Sequence, residues 1–162
     1  MFTDIPAFLE TVIASALGFF IAGFGKAWFD AKIKQANNLE DGRDADVDEI
    51  IQITKDVAAL AETYWFSVAN DDDLNLQSRI TTKINHISAL SVGIFENDED
   101  ALSEAYRVIS ALDTAITHGD FGSKLRQAEP RRLTEILSKS MVVERTMRTQ
   151  RRKLSPRWFG MI

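Results

Sequence analysis

The chain has 162 residues, 45% of them apolar, with a net charge of -5 and no cysteine. This length suits one domain with an appendage, the composition excludes wholesale disorder, and the lack of cysteine excludes a disulfide framework and thiolate metal sites. The charge is uneven, because residues 35–130 carry nineteen acids and seven bases, whereas residues 131–162 carry two acids and nine bases. The sequence therefore predicts an acidic body followed by a basic end.

The first element is an apolar segment, ETVIASALGFFIAGFGKAWF at residues 10–29. Its uncharged part, residues 11–25, is about 22 Å long as a helix, but residues 6–29 are about 36 Å long and would cross a bilayer. A buried core helix is the alternative, yet the segment is apolar on all sides and contains three glycines, as membrane spans often do. We therefore predict a single transmembrane helix in an anchor of residues 1–36.

The charges around this helix predict its orientation. A cleaved signal peptide would begin with bases, whereas here Asp4 precedes the apolar run and Lys26, Lys32 and Lys34 follow it. The positive-inside rule then places the N-terminus outside a bacterial inner membrane and the C-terminal domain in the cytoplasm. Small residues at spacings of three and four form what we call the small-residue seam, which predicts packing between anchors of a homo-oligomer; it comprises Ser15, Gly18, Ala22 and Gly25. The alternative is that small residues are simply frequent in spans.

A linker at residues 37–46 is expected to precede a cytosolic helical domain at residues 47–162, with Asp46 as the N-cap of its first helix. Helices are predicted over Val47–Ala69, Leu74–Phe95, Ala101–Thr117 and from Pro130 onward, and no segment shows strand alternation. The predicted fold class is all-α, a bundle of about four helices. The expected core residues are Ile50, Ile53, Val57, Leu60, Tyr64, Val68, Ile80, Ile84, Ile87, Ser91, Ile94, Leu102, Ala105, Ile109, Leu112, Ile116, Leu133, Ile136, Leu137, Met141 and Met147.

Motifs for catalysis are absent from the sequence. It contains two histidines, no HExxH and no cluster of metal-ligand types, so we expect no enzyme activity, no metal and no cofactor. The loop THGDFGSKLRQAEPRR at residues 117–132 combines glycines with four bases, Lys124, Arg126, Arg131 and Arg132. These bases are predicted to bind an anion near a helix start, with pairing to the acidic body as the alternative.

The last helix also contains a basic cluster that could bind an anion or pair with acidic residues, because Arg145, Arg148 and Arg152 fall on one face. This face would bind the phosphates of a ligand, membrane lipid or the acidic helices of a neighbour, while duplex nucleic acid is disfavoured by the acidic body. The apolar tail contains Trp158, Phe159, Met161 and Ile162, which are predicted to pack on the bundle, on a partner or at the membrane surface.

The order of parts, FLETVIASALGFFIAGFG, a short linker and a helical domain ending in a basic helix, resembles small bacterial membrane-anchored defence effectors. In layout it is similar to the cyclic-oligoadenylate-responsive membrane effectors of type III CRISPR systems. The resemblance implies a cytosolic oligomer that binds a cyclic oligonucleotide and disturbs its own membrane helices, and it assigns no individual residue. We therefore expect a sensor of an anionic ligand, with a membrane-tethered scaffold or adaptor for a protein partner as the alternative.

Overall fold

The computed structural model describes residue 34 and residues 41–154. The predicted transmembrane helix, its small-residue seam and the apolar tail lie outside the described residues. Residues Gly42–Ser155 form one compact unit. Among the helices of the described part, none is both long enough and apolar enough to cross a membrane.

The described residues contain four helices and no strand, which confirms the predicted all-α fold. In chain order they are α1, described over residues 41–66, then α2 at Asp73–Phe95, α3 at Glu99–Thr117 and α4 at Arg132–Lys153. Local chemistry explains the bounds of α3. The Asp98 side chain accepts a hydrogen bond from the Ala101 amide at 2.9 Å, and Gly119 adopts φ 70° just beyond the last turn, as helix-ending glycines do.

Contacts between side chains show that α1 runs antiparallel to both α2 and α4. Lys83 of α2 binds Asp56 of α1 at 2.9 Å, while Gln77, earlier in α2, reaches the Tyr64 hydroxyl, later in α1, at 3.3 Å. Arg151, near the end of α4, pairs with Asp44, near the described start of α1, at 2.8 Å. The bundle therefore has a loop end, with residues 67–72 and 118–131, and a turn end, with residues 96–98, the described start of α1 and the end of α4.

The core lies between the apolar faces of the helices, and α2 follows the sequence prediction most closely. All five of its expected core residues are buried, and so are four of the five in α3, where Leu102 is half-buried. In α1, Ile50, Ile53, Val57 and Tyr64 are buried and Leu60 is half-buried. Periodicity works well here because apolar residues dominate these faces, and the buried Ser91 hydroxyl donates to the Ile87 carbonyl at 2.8 Å.

Several predictions for α1 are wrong. Residues 41–46, which were assigned to a linker, are helical, so Asp46 lies inside the helix and does not cap it. The helix ends at residue 66, before Val68, and that side chain is exposed. The chain leaves the helix here because the Ala69 amide donates to the Arg126 carbonyl at 3.1 Å, which starts the packing of the loop end.

The predicted core face of α4 is also partly wrong. Leu137 and Met141 are 47% and 70% exposed, whereas Ile136 and Met147 are buried as expected and Leu133 is half-buried. The buried row continues through Ser140, Val143 and Arg151. Two of these positions are polar, and each has a partner: Ser140 donates to the Ile136 carbonyl at 2.9 Å, and Arg151 pairs with Asp44. The core-facing row therefore tolerates polar residues because Ser140 bonds to its own helix and Arg151 reaches an exposed carboxylate at the edge of the bundle.

Candidate functional site

Three aromatic side chains organise the loop end. The rings of Tyr64 and Trp65, in the last turn of α1, meet edge to face with centres 5.1 Å apart, and Phe121 from the loop packs 4.9 Å from Tyr64. The Trp65 indole donates to the Ile116 carbonyl of α3 at 3.1 Å, so its polar atom has a buried partner. This aromatic cluster gives the α3–α4 loop a fixed surface on which to pack.

Arg126, one of the predicted anion ligands, is a buried residue of this loop. It is 1% exposed, and its guanidinium donates to both carboxylate oxygens of Asp73 at 3.0 and 2.8 Å and to the Ser67 carbonyl. The guanidinium carbon also lies 3.9 Å from the centre of the Tyr64 ring. A planar cation suits this position because it can pair with a carboxylate edgewise and stack on an aromatic ring at the same time.

Arg132, at the start of α4, has a similar environment. Its guanidinium carbon lies 3.8 Å from the centre of the Trp65 ring, and it donates to the His118 carbonyl at 2.6 Å and pairs with Glu129 at 2.8 Å. Gly119 has a positive φ, which favours glycine, and a Cβ added there would lie 3.1 Å from this guanidinium and require it to shift slightly. Arg132 therefore ties both ends of the loop to α1.

The amides of the loop are also engaged within the protein. The Gly122 amide donates to the Tyr64 hydroxyl at 2.9 Å and the Glu129 amide to the Trp65 carbonyl at 2.8 Å. Within the loop, the Ser123 amide donates to the Asp120 carbonyl at 3.0 Å. An anion site in this loop would need free amides, and these three already donate to acceptors of the protein itself.

A shallow groove of about 360 Å³ lies between the start of α2 and the loop. Lys124 is exposed and is the one base in its lining, where it accompanies two carboxylates, Asp71 and Asp73. Asp73 is neutralised by Arg126, and Asp71 offsets the charge of Lys124. The groove therefore has mixed charge and does not select for an anion.

The outward face of α4 is the second region with unusual side chains. We define the α4 face as five exposed residues at spacings of four, four, three and four: Leu137, Met141, Arg145, Arg148 and Arg152. Val142, 42% exposed, lies beside it. Within the described residues, no ion pair engages any of the three arginines of this face. The face thus begins apolar near the loop end and becomes basic toward the turn end.

The structure does not bring the seven predicted anion ligands into one site. Arg126 and Arg132 are buried at the loop end, Lys124 and Arg131 are exposed there, and the other three lie on the last half of α4. Arg132 and Arg148 are sixteen residues apart in one helix, which separates them by about 24 Å. One small ligand cannot contact both groups, so Arg145, Arg148 and Arg152 must be considered separately from the loop.

Sequence reasoning missed the aromatic cluster and the buried Arg151. The only indication of the cluster in the sequence is a Tyr-Trp pair at the end of a predicted helix and a Phe in a later loop that contains glycine. Arg151 had a clearer one, since it follows Met147 by four residues and continues the buried row of α4. A basic residue in such a row indicates a carboxylate partner within the same chain, which here is the exposed Asp44.

No protein-family model, no curated protein and no solved structure matches this chain. In the part of the chain that the structure describes, no three His, Asp or Glu side chains are grouped closely enough to hold a metal ion. The α4 face is therefore the candidate site that the geometry favours.

Proposed function

We propose that this protein is a non-enzymatic, membrane-tethered adaptor whose α4 face binds an acidic protein surface. The observation that carries the proposal is the α4 face itself, which combines exposed Leu137 and Met141 with three arginines that have no ion-pair partner among the described residues. Apolar side chains supply binding energy through burial, and unpaired arginines supply orientation and rapid association. Both kinds of side chain are thus presented on one face of one helix.

The dimensions of the face favour a protein partner. From Leu137 to Arg152 it extends about 22 Å along α4, which exceeds most small ligands and matches four turns of a partner helix. A small anion would use only the basic half and leave the apolar half in water. Exposed apolar side chains beside arginines are typical of protein interfaces, which are enriched in Met and Arg.

The tether is supported by the sequence of residues 1–36, where the apolar segment is long enough to span a bilayer and basic residues follow it. The α4 face would then act at the inner surface of a bacterial membrane. The protein would hold its partner there without altering it chemically.

Sensing of an anionic ligand is the second candidate, and the three unpaired arginines of the α4 face favour it. A cyclic oligonucleotide or another polyphosphate would bridge these arginines from several subunits of a homo-oligomer and shift the packing of the anchors. If so, the full chain in detergent would be stabilised against heat by such compounds and not by chloride at equal ionic strength.

The adaptor proposal is tested with charge-reversal variants of the tagged full chain, expressed in its native host. Arg148→Glu combined with Arg152→Glu reverses the basic half of the face, and Lys55→Glu combined with Arg79→Glu reverses two exposed bases on α1 and α2. After cross-linking and affinity capture, we expect the α4 variant to lose specific protein partners that the wild type and the control retain. Identical partners for all three proteins would contradict the proposal.

A further inference from the structure

The turn between α2 and α3 carries the opposite charge to the α4 face. Residues 96–100, ENDED, contain four acids and no base, and three of the four acids are exposed. The fourth, Asp98, caps α3. Within the described residues, no ion pair engages any of these carboxylates. We call residues 96–100 the acidic turn.

The acidic turn and the basic half of the α4 face lie at the same end of the bundle. Lys83 binds Asp56 at 2.9 Å and His86, one turn further along α2, lies 3.7 Å from Glu49, so α2 runs toward the described start of α1. Arg151 binds Asp44 there, which brings the end of α4 to the same level. Both charged surfaces therefore lie at the turn end, at similar heights along the bundle axis.

We propose that the α4 face of one copy of this chain binds the acidic turn of a second copy. This inference rests on the proposed function of the α4 face and names its partner. The two charged surfaces of one chain form no ion pair with each other in the described residues, so a complementary contact requires another molecule. Two copies that stand side by side with their bundle axes in the same direction place the basic half of α4 level with the acidic turn of the neighbour.

The contact is heterologous, because different surfaces of the two copies meet. Each copy then keeps one free α4 face or one free acidic turn, so association continues into a ring or an open row. Each exposed ion pair would contribute modestly to the free energy of association, and salt would screen it. Salt would not weaken the contribution from burial of Leu137 and Met141 against the neighbour. Self-association should therefore weaken, without disappearing, as the salt concentration rises.

Cross-linking through introduced cysteines tests this contact directly, because the natural chain contains no cysteine. Asn97→Cys places a thiol in the acidic turn, and Thr149→Cys places one beside Arg148 and Arg152; both positions are exposed. The two full-length variants are reconstituted together in vesicles and treated with a short bis-maleimide reagent. We expect the mixture to give cross-linked dimers and either variant alone to give few.

Two outcomes would overturn the inference. If Thr149→Cys alone cross-links as well as the mixture, the interface joins two α4 helices. If no combination cross-links, the α4 face does not meet the acidic turn of another copy.

Charge reversal on each of the two surfaces in turn tests this inference separately from the proposed function. Glu99→Lys with Asp100→Lys, or Arg148→Glu with Arg152→Glu, should each lower the cross-linking yield of the cysteine pair about tenfold, and mixing the two reversed chains should restore it. Exchange between chains also controls for any loss of α3 stability, because a misfolded variant would not be rescued.

The readings of this experiment are distinct. If reversal of the acidic turn leaves self-association unchanged while reversal of α4 still removes a captured protein, the inference fails and the adaptor function stands. If reversal of α4 changes neither self-association nor captured proteins, both fail.

Discussion

Arg126 and Arg132 differ from Arg148 and Arg152 in what surrounds their guanidinium groups. The first two stack on Tyr64 and Trp65 and bind carboxylates and carbonyls of the same chain, whereas the last two are exposed and have no ion pair in the part of the chain that the structure describes. Arg126 lies in the α3–α4 loop, and the other three lie in α4. The difference shows that the charge of an arginine does not indicate whether it binds its own fold or a partner.

The largest effect is expected where a cation and its carboxylate are both buried. Arg126→Ala leaves the Asp73 carboxylate buried and unpaired, so we expect the free energy of unfolding to fall by about 3–5 kcal/mol. The free energy of unfolding is measured by denaturant unfolding of the full chain in a mild detergent, with Trp fluorescence as the signal. Arg126→Met combined with Asp73→Asn removes both charges and should recover part of the loss. A single variant as stable as the wild type would show that Arg126 does not hold the loop.

Arg132→Lys tests the stacked geometry with the charge retained. Lysine cannot stack a planar group on Trp65 while it donates to the His118 carbonyl, so we expect a loss of about 1–2 kcal/mol in the free energy of unfolding. Arg131→Lys, at the neighbouring exposed position, is the matched control and should be neutral. Equal stability of the two variants would mean that charge alone matters at position 132.

Asp56 provides a smaller, exposed comparison. A hydrogen bond from Lys83, helped by one from Gln52, holds the pKa of the Asp56 carboxyl below its ordinary value of 3.8. A lowered pKa stabilises the fold above pH 3.8, and this contribution is lost as the pH falls through the lowered value. Asp56→Asn should therefore cost about 0.5 kcal/mol at pH 7 and less at pH 2. An equal loss at both pH values would point to packing instead of charge.

The smallest change in stability is expected on the α4 face. Arg148→Glu with Arg152→Glu breaks no ion pair within the described residues, so the free energy of unfolding should change by less than about 0.5 kcal/mol at protein concentrations below self-association. The same double change should lower the yield of cross-linking to the acidic turn about tenfold. A large loss of stability here would place these arginines with Arg126 and remove the contrast between the two regions.

Much of the helical framework could be predicted from the sequence. The five core positions of α2 and four of the five in α3 were read correctly from spacings of three and four, because apolar residues occupy all of these positions except Ser91. The core face of α4 was assigned from its apolar residues, so it included Leu137 and Met141, and neither Ser140 nor Arg151 was expected to be buried. Both can be buried, since a serine hydroxyl can donate to a carbonyl in its own helix and an arginine has an apolar stem and a partner in Asp44.

The site was less predictable than the fold. The seven basic residues were grouped by charge and by closeness to helix starts, and the structure separates them into a buried pair, two exposed residues at the loop end and three on the α4 face. The arginines of the face were identified from the sequence, but its apolar half was assigned to the core. The aromatic cluster was missed because Phe121 is far from Tyr64 and Trp65 in the sequence.

The sequence by itself determined the helices, the acidic body and the basic end, because turns, caps and apolar spacing act over a few residues. Only the tertiary structure decided which arginines are structural. Arg126 meets Asp73 across 53 residues and Ser67 across 59, and these partners are chosen when the loop end packs against α1. Long-range pairing of this kind leaves no local pattern, so Arg126 and Arg148 look alike until the chain is folded.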